Sequence, residues 1–123
     1  IAELPKGLDT VVGERGVILS GGQKQRVALA RALLKPTPVM LFDDPVSQVD
    51  TRTAAHIVDS LRAMAGQRTM VIASHRLSAL RHADIIVAME SGSIVASGTH
   101  DQLMAAEGYY ADTYRLQELE DAL

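Results

Sequence analysis

Leu19-Ser20-Gly21-Gly22-Gln23-Lys24-Gln25-Arg26-Val27-Ala28-Leu29-Ala30-Arg31-Ala32, followed shortly by Val39-Met40-Leu41-Phe42-Asp43-Asp44-Pro45, is the stretch on which the fold turns. Ser20 is a good helix N-cap, Gly21 and Gly22 allow close approach, and Gln23 to Leu34 set Val27, Ala30, Leu33 and Leu34 on one side at helical spacing. A helix that begins with Ser-Gly-Gly offers unpaired N–H groups, the positive end of its dipole and a hydroxyl, the parts of an anion site. By itself it reads first as a capped surface helix, by the frequency of such caps. Lys35-Pro36-Thr37-Pro38 cannot prolong it, because the prolines remove donors and push their predecessors to extended conformations. Val39 to Phe42 is an unbroken apolar run with acids after it, the pattern of a central strand buried on both faces. Its carboxyl end is where open α/β sheets place ligands.

Upstream, residues 8–19 mix Gly, Asp and β-branched types and read as a loop with short extended pieces. Downstream, Asp50 can cap a helix from Thr51 to about Ala65, with Ala54, Ile57, Val58, Leu61 and Ala65 on the apolar side and Gly66 as its stop. Arg68 to Ala73 reads as a second buried strand, Leu77 to His82 as a short helix, and Asp84 to Met89 as a third strand. Glu90-Ser91-Gly92-Ser93 turns the chain into Ile94-Val95-Ala96-Ser97 as a hairpin. Thr99 with Gln102 is a capping-box pattern for a helix through Ala106, and a last helix runs from about Tyr109 to Ala122. Strands that alternate with helices imply an α/β domain with a mainly parallel sheet.

The chain has 123 residues, enough for one modest core. Twelve lysines and arginines face 15 acids, a formal net charge of −3, so no general attraction to nucleic acid or an anionic membrane is expected. Any phosphate has to be held locally. Zero cysteines exclude disulfides and thiolate metal sites and fit a reducing compartment. No apolar run approaches the roughly 18 to 20 residues of a membrane span. The opening Ile1-Ala2-Glu3-Leu4-Pro5-Lys6-Gly7 has no initiator Met and reads as the middle of a longer chain.

The signature-like stretch Leu19 to Gln23, the helix behind it and the Asp-ended strand resemble, in order and spacing, the signature sequence and Walker B strand of ATP-binding-cassette (ABC) ATPases. The resemblance extends to Leu4–Gly16, similar to the segment before an exporter signature, and to Asp84–Met104, including Gly98-Thr99-His100, and Gly108-Tyr109-Tyr110 with Tyr114. It implies a P-loop NTPase fold of ABC type in partial form: the signature helix plus the C-terminal half of the sheet, flanking helices and a C-terminal hairpin. The expected division of this single partial domain, residues 1–123, is a loop at 1–18, the signature helix at 19–35, the catalytic core at 39–98 and C-terminal helices at 99–123.

The resemblance also assigns roles. Leu19, Ser20, Gly21, Gly22 and Gln23 contact the ATP of a partner subunit. Asp43 holds Mg2+ through water, and Asp44 polarises the attacking water, tasks that need anionic oxygen near the phosphoryl group. Ser47 and Asp50 occupy the D-loop, which communicates across the dimer. His75, in Ser74-His75-Arg76 after the second strand, contacts the γ-phosphate. His56, His82 and His100 have no such placement and read as solvated or capping residues.

Two features depart from the family. No G-x-x-x-x-G-K-[ST] occurs in these residues, so the nest that grips β- and γ-phosphates is missing along with the Q-loop. The chain is therefore expected to be the C-terminal half of a nucleotide-binding domain, inactive alone, with an uncovered sheet edge and apolar helix faces. Asp44 also stands where the family usually has Glu, which points to one weak site in a heterodimeric exporter; a homodimer using Asp is the alternative. Expected partners are a second nucleotide-binding domain, an exporter's transmembrane domain on the cytoplasmic side of the membrane, and the domain's own N-terminal half, with no nucleic acid. A stand-alone module completing another protein's site, or a soluble cassette protein of repair or translation, are the competing readings.

Overall fold

The computed structural model describes residues 1–123. They form two compact units, Ile1–Pro36 and Thr37–Leu123. In the first unit a loop precedes a single α-helix, α1, Gly21–Leu33. The loop folds on itself: the Val17 N–H donates to the Val11 carbonyl at 2.9 Å, and a Cβ on Gly16 would lie 2.0 Å from that same oxygen. Only glycine fits there. No residue of α1 is fully buried within its unit, and Val27 remains 40% exposed, so the apolar side read from the sequence is present but uncovered.

The second unit begins with β1, Val39–Asp43, crosses through α2, Thr51–Ala63, and returns as β2, Thr69–Ala73. The strands pair in parallel and in register, from Val39 opposite Thr69 to Asp43 opposite Ala73. Met40 and Phe42 are buried, as are Ala54, Ile57 and Leu61, one stripe of α2 at spacings of three and four residues. Ala65 lies beyond the helix and is exposed, because α2 ends two residues before it.

β1 does not have the two buried faces expected of it. Its burial alternates, with Val39 54% and Leu41 77% exposed, and Val71 of β2 is 53% exposed on the neighbouring strand. The period of a pleated strand puts alternate side chains on opposite faces, and this chain supplies cover for one face only. A continuous apolar run at the sequence level is thus a half-covered strand here.

A second pair of strands is antiparallel: β3, Ile86–Glu90, and β4, Ser93–Gly98, joined by a two-residue turn in which Ser91 and Gly92 both have positive φ. It forms its own two-stranded sheet, so the expected parallel sheet is represented by β1 and β2. Two helices close the chain, α3, His100–Ala105, and α4, Tyr109–Asp121. The Thr99–Gln102 capping box is formed, each side chain accepting from the other residue's N–H. Ile86, Leu103, Tyr110 and Tyr114 make a core cluster against which Leu77, Leu80, Ala96 and Met104 pack. His100 is not the solvated residue its isolation in the sequence suggested. Its Nδ1 lies 2.9 Å from the Tyr110 hydroxyl and its ring 4.7 Å from that of Tyr114, because helix α4 folds back over the start of α3. No helix is long and apolar enough to cross a membrane.

Candidate functional site

Ser20 caps α1 with φ −64 and ψ 163, an extended residue whose hydroxyl oxygen accepts the Gln23 N–H at 3.2 Å. Gln23 answers with its Oε1, which accepts the Ser20 N–H at 2.9 Å. This reciprocal box consumes two of the donors that an anion could have used. It leaves the N–H groups of Gly21 and Gly22, which have no acceptor inside the helix, and the Ser20 hydroxyl proton, since the oxygen is serving as an acceptor. The hydroxyl proton is thereby left for a partner outside the box. Ser20 and Gly21 are exposed, whereas Leu19, Gly22 and Gln23 are half-buried.

In the second unit, the in-register parallel pairing brings the ends of β1 and β2 to one edge. Asp43 is exposed as the last residue of β1. Asp44, immediately after it, takes φ 48, a left-handed conformation that Asp tolerates better than longer side chains. That turn directs its N–H to the Ala73 carbonyl at 2.7 Å and its Oδ1 to the Ser74 hydroxyl at 3.1 Å. Ser74 in turn accepts the Arg76 N–H at 3.1 Å. His75, between them, is exposed. The two acids and the histidine singled out in the sequence therefore converge on one strand edge, with Asp44 and the residue before His75 in direct contact.

Beyond Asp44 the main chain is pinned by Pro45, Val46 and Val49, all buried, with Val46 fully so. Ser47 is exposed, and its N–H donates to the Asp44 carbonyl at 3.2 Å. Asp50 caps α2, accepting from the Thr53 N–H at 3.0 Å and from its hydroxyl at 2.6 Å. The hydroxyl bond, then the backbone bond, hold the Asp50 carboxyl below its usual range. Ser47 and Asp50 are thus displayed by the turn that the buried valines fix.

No three His, Cys, Asp or Glu side chains gather into a metal cluster. Asp43 and Asp44 offer hard carboxylate oxygens, which suit Mg2+, an ion that takes one or two carboxylates and draws its other ligands from phosphate and water. The donor set is of the kind that suits that ion.

The ABC transporter family model matches residues 2–47, the span from the opening loop through Ser47. An ATP-dependent lipid A-core flippase of Nitrosococcus oceani is 50% identical over 117 residues, 95% of this chain and 20% of that protein. The multidrug resistance-like ATP-binding protein MdlA of Escherichia coli is 51% identical over 123 residues, all of this chain and 21% of that one. The chain belongs to the ABC transporter family. Its fold agrees: a bacterial Atm1-family ABC exporter, solved with ATP bound, superposes with a TM-score of 0.86 at 45% identity, covering 95% of this chain and 21% of the exporter. The chain spans about a fifth of the length of the ABC proteins it matches and corresponds to part of a nucleotide-binding domain.

Two contacts within this ABC unit lay beyond sequence reasoning. Ser74 was visible only as a neighbour of His75, and its bond to Asp44 depends on the parallel register. Gln117, on the last helix, donates from Nε2 to the His75 carbonyl at 2.7 Å and accepts the Leu77 N–H at Oε1, 2.9 Å. Nothing in its sequence surroundings signals that role.

Proposed function

We propose that this chain is the signature and Walker B portion of the ATPase domain of an ABC exporter, and that the whole protein couples ATP binding and hydrolysis to transport across a membrane. The observation that carries this reading is the convergence of Asp43, Asp44, Ser74 and His75 at one edge of a parallel strand pair. The Ser20 capping box supports the second half of it, a donor site for a phosphate that another subunit brings.

In this reading Asp43 holds Mg2+ through water, and the ion when bound offsets the negative charge of the phosphoryl oxygens. Asp44 accepts a hydrogen bond from the attacking water and orients it, while His75 donates to the terminal phosphate. Gly21 and Gly22 N–H groups and the Ser20 hydroxyl donate to the ATP of the facing subunit, with Leu19 and Gln23 shaping that surface. Ser47 and Asp50 lie on the turn that faces across the dimer. The partners are a second nucleotide-binding domain, a transmembrane domain and the remainder of its own domain, on the cytoplasmic side of a membrane.

Asp44 is shorter than the Glu usual in the family and is tied to Ser74, which favours a weak site paired with a competent one in a heterodimer. By itself the chain, as a single partial domain, lacks the phosphate-gripping nest and neither binds Mg-ATP tightly nor hydrolyses it. Calorimetric titration of Mg-ATP into the purified chain checks this: no heat above dilution is expected at micromolar ligand, and micromolar binding would overturn it. In the whole transporter in lipid vesicles, with the facing subunit's own site silenced by substitution of its catalytic acid, His75→Ala should reduce the remaining ATP hydrolysis by roughly 100- to 1,000-fold, the range for loss of a positioned donor. Unchanged hydrolysis would remove the proposed site.

A further inference from the structure

Gln117 of helix α4 stands 40 residues beyond Leu77 in sequence, yet its side chain reaches the segment that carries His75. The amide brackets Arg76: Oε1 accepts from Leu77 and Nε2 donates to the His75 carbonyl. The orientation of the amide is determined by chemistry, since a flip would oppose NH2 to N–H and oxygen to carbonyl. On the same face of α4, one and two turns back, Tyr114 and Tyr110 are buried in the C-terminal core, so the arm that holds the loop grows from an anchored helix. The loop's other side is held by Ser74, through Asp44 and the Arg76 N–H.

Resting on the reading of His75 as a phosphate contact, we propose that Gln117 is a positioning residue for it: the side chain fixes the main chain on both sides of Arg76 and so sets where the exposed imidazole sits. Because His75 is exposed, packing constrains its ring less than that of a buried side chain, and the backbone that bears it carries more of the control. A displacement of about 1 Å in a catalytic arrangement can cost on the order of 100-fold in rate. Loss of two hydrogen bonds to a loop still held by Ser74 should displace it less.

The test uses the whole transporter in lipid vesicles with the facing subunit's own site silenced by substitution of its catalytic acid, so that the Mg-ATP hydrolysis read is that of the site built on this chain. Gln117→Ala is expected to lower kcat about 10-fold with KM for ATP changed less than about twofold, a positioning loss rather than a binding loss. Gln117→Met, which keeps the length and apolar stem, should behave alike and guards against a folding defect in the smaller variant. Gln117→Glu provides a second, independent readout. Its carboxylate keeps the acceptor for Leu77 but faces the His75 carbonyl with no proton, whereas the protonated acid restores both bonds. At about pH 7.5, where that carboxyl is ionised, its kcat should fall at least as far as in Gln117→Ala, again with KM for ATP little changed. Wild-type kcat in both Gln117→Ala and Gln117→Met, or in Gln117→Glu at that pH, overturns the proposal. If His75→Ala leaves hydrolysis intact, it is the underlying site that fails; if His75→Ala lowers it and the Gln117 variants do not, only this inference does.

Discussion

Asp44→Glu puts the clearest strain on the proposed chemistry. The substitution extends the carboxylate by one methylene, roughly 1.5 Å along a carbon–carbon bond, from a backbone whose direction is set by the 2.7 Å bond of Asp44 N–H to Ala73. If the short arm limits orientation of the attacking water, an improvement of that order is worth up to about 100-fold in kcat. Two effects oppose it. The 3.1 Å bond from Ser74 is lost or distorted, about 1 kcal/mol or fivefold for a half-exposed pair, and Glu tolerates the φ of 48 less well than Asp. Together these leave an expected gain of about 10-fold in the hydrolysis rate of the site that Asp44 serves, read in the whole transporter with the facing site silenced. They also predict a loss of about 1 kcal/mol in stability, a fall in Tm of roughly 4–8 °C for a unit of this size. Steady-state hydrolysis in vesicles gives the first quantity and thermal melting of the chain the second. In a Ser74→Ala background the stability cost should shrink, because the bond is already gone. A rate that stays level or falls while the protein remains folded refutes the argument that Asp44 marks a weak site.

Ser20 separates cap from contact. Ser20→Ala removes both and should cost about 1 kcal/mol of helix α1, read by amide exchange at Lys24, together with most transporter ATPase activity; Ser20→Asp keeps the cap but meets phosphate with a like charge, and full activity in that variant would exclude the proposed hydroxyl contact. At the start of α2, Asp50→Asn retains an acceptor for Thr53 without a titrating group. Since the two Thr53 bonds hold the Asp50 carboxyl below its ordinary value of 3.8 in the folded chain, the stability of the wild type relative to Asp50→Asn is expected to be constant above that value and to decline as pH drops below it, as followed by melting curves; a pH-independent difference would contradict the capping geometry. Tyr110→Phe strips the hydroxyl from His100 and should cost about 1 kcal/mol. Burial, and then the neighbouring Tyr114, push the Tyr110 hydroxyl above its ordinary value of 10.0, so its contribution is complete below that pH and disappears at higher pH; melting of Tyr110→Phe should lack that alkaline decline.

What the sequence determined by itself is local. Ser20 with Gln23 and Thr99 with Gln102 specify capping boxes because donors and acceptors three residues apart meet in any first helical turn. Gly92 beside Ser91 specifies a tight hairpin, and the apolar run ahead of Asp43 specifies a strand that ends in acids. Residue order was enough to single out the acids and the histidine as candidates, since their types and spacing along the chain resemble the family's pattern. Tertiary structure decided what depends on distance through space. The register of β1 with β2 chose Ser74 as the partner of Asp44, and α4 folding back chose Gln117 as the clasp on the His75 loop and Tyr110 as the partner of His100. It also left Leu41 exposed where an apolar run had implied burial, because the cover of a strand's second face is supplied by whatever packs there, and no pattern along the strand itself records it.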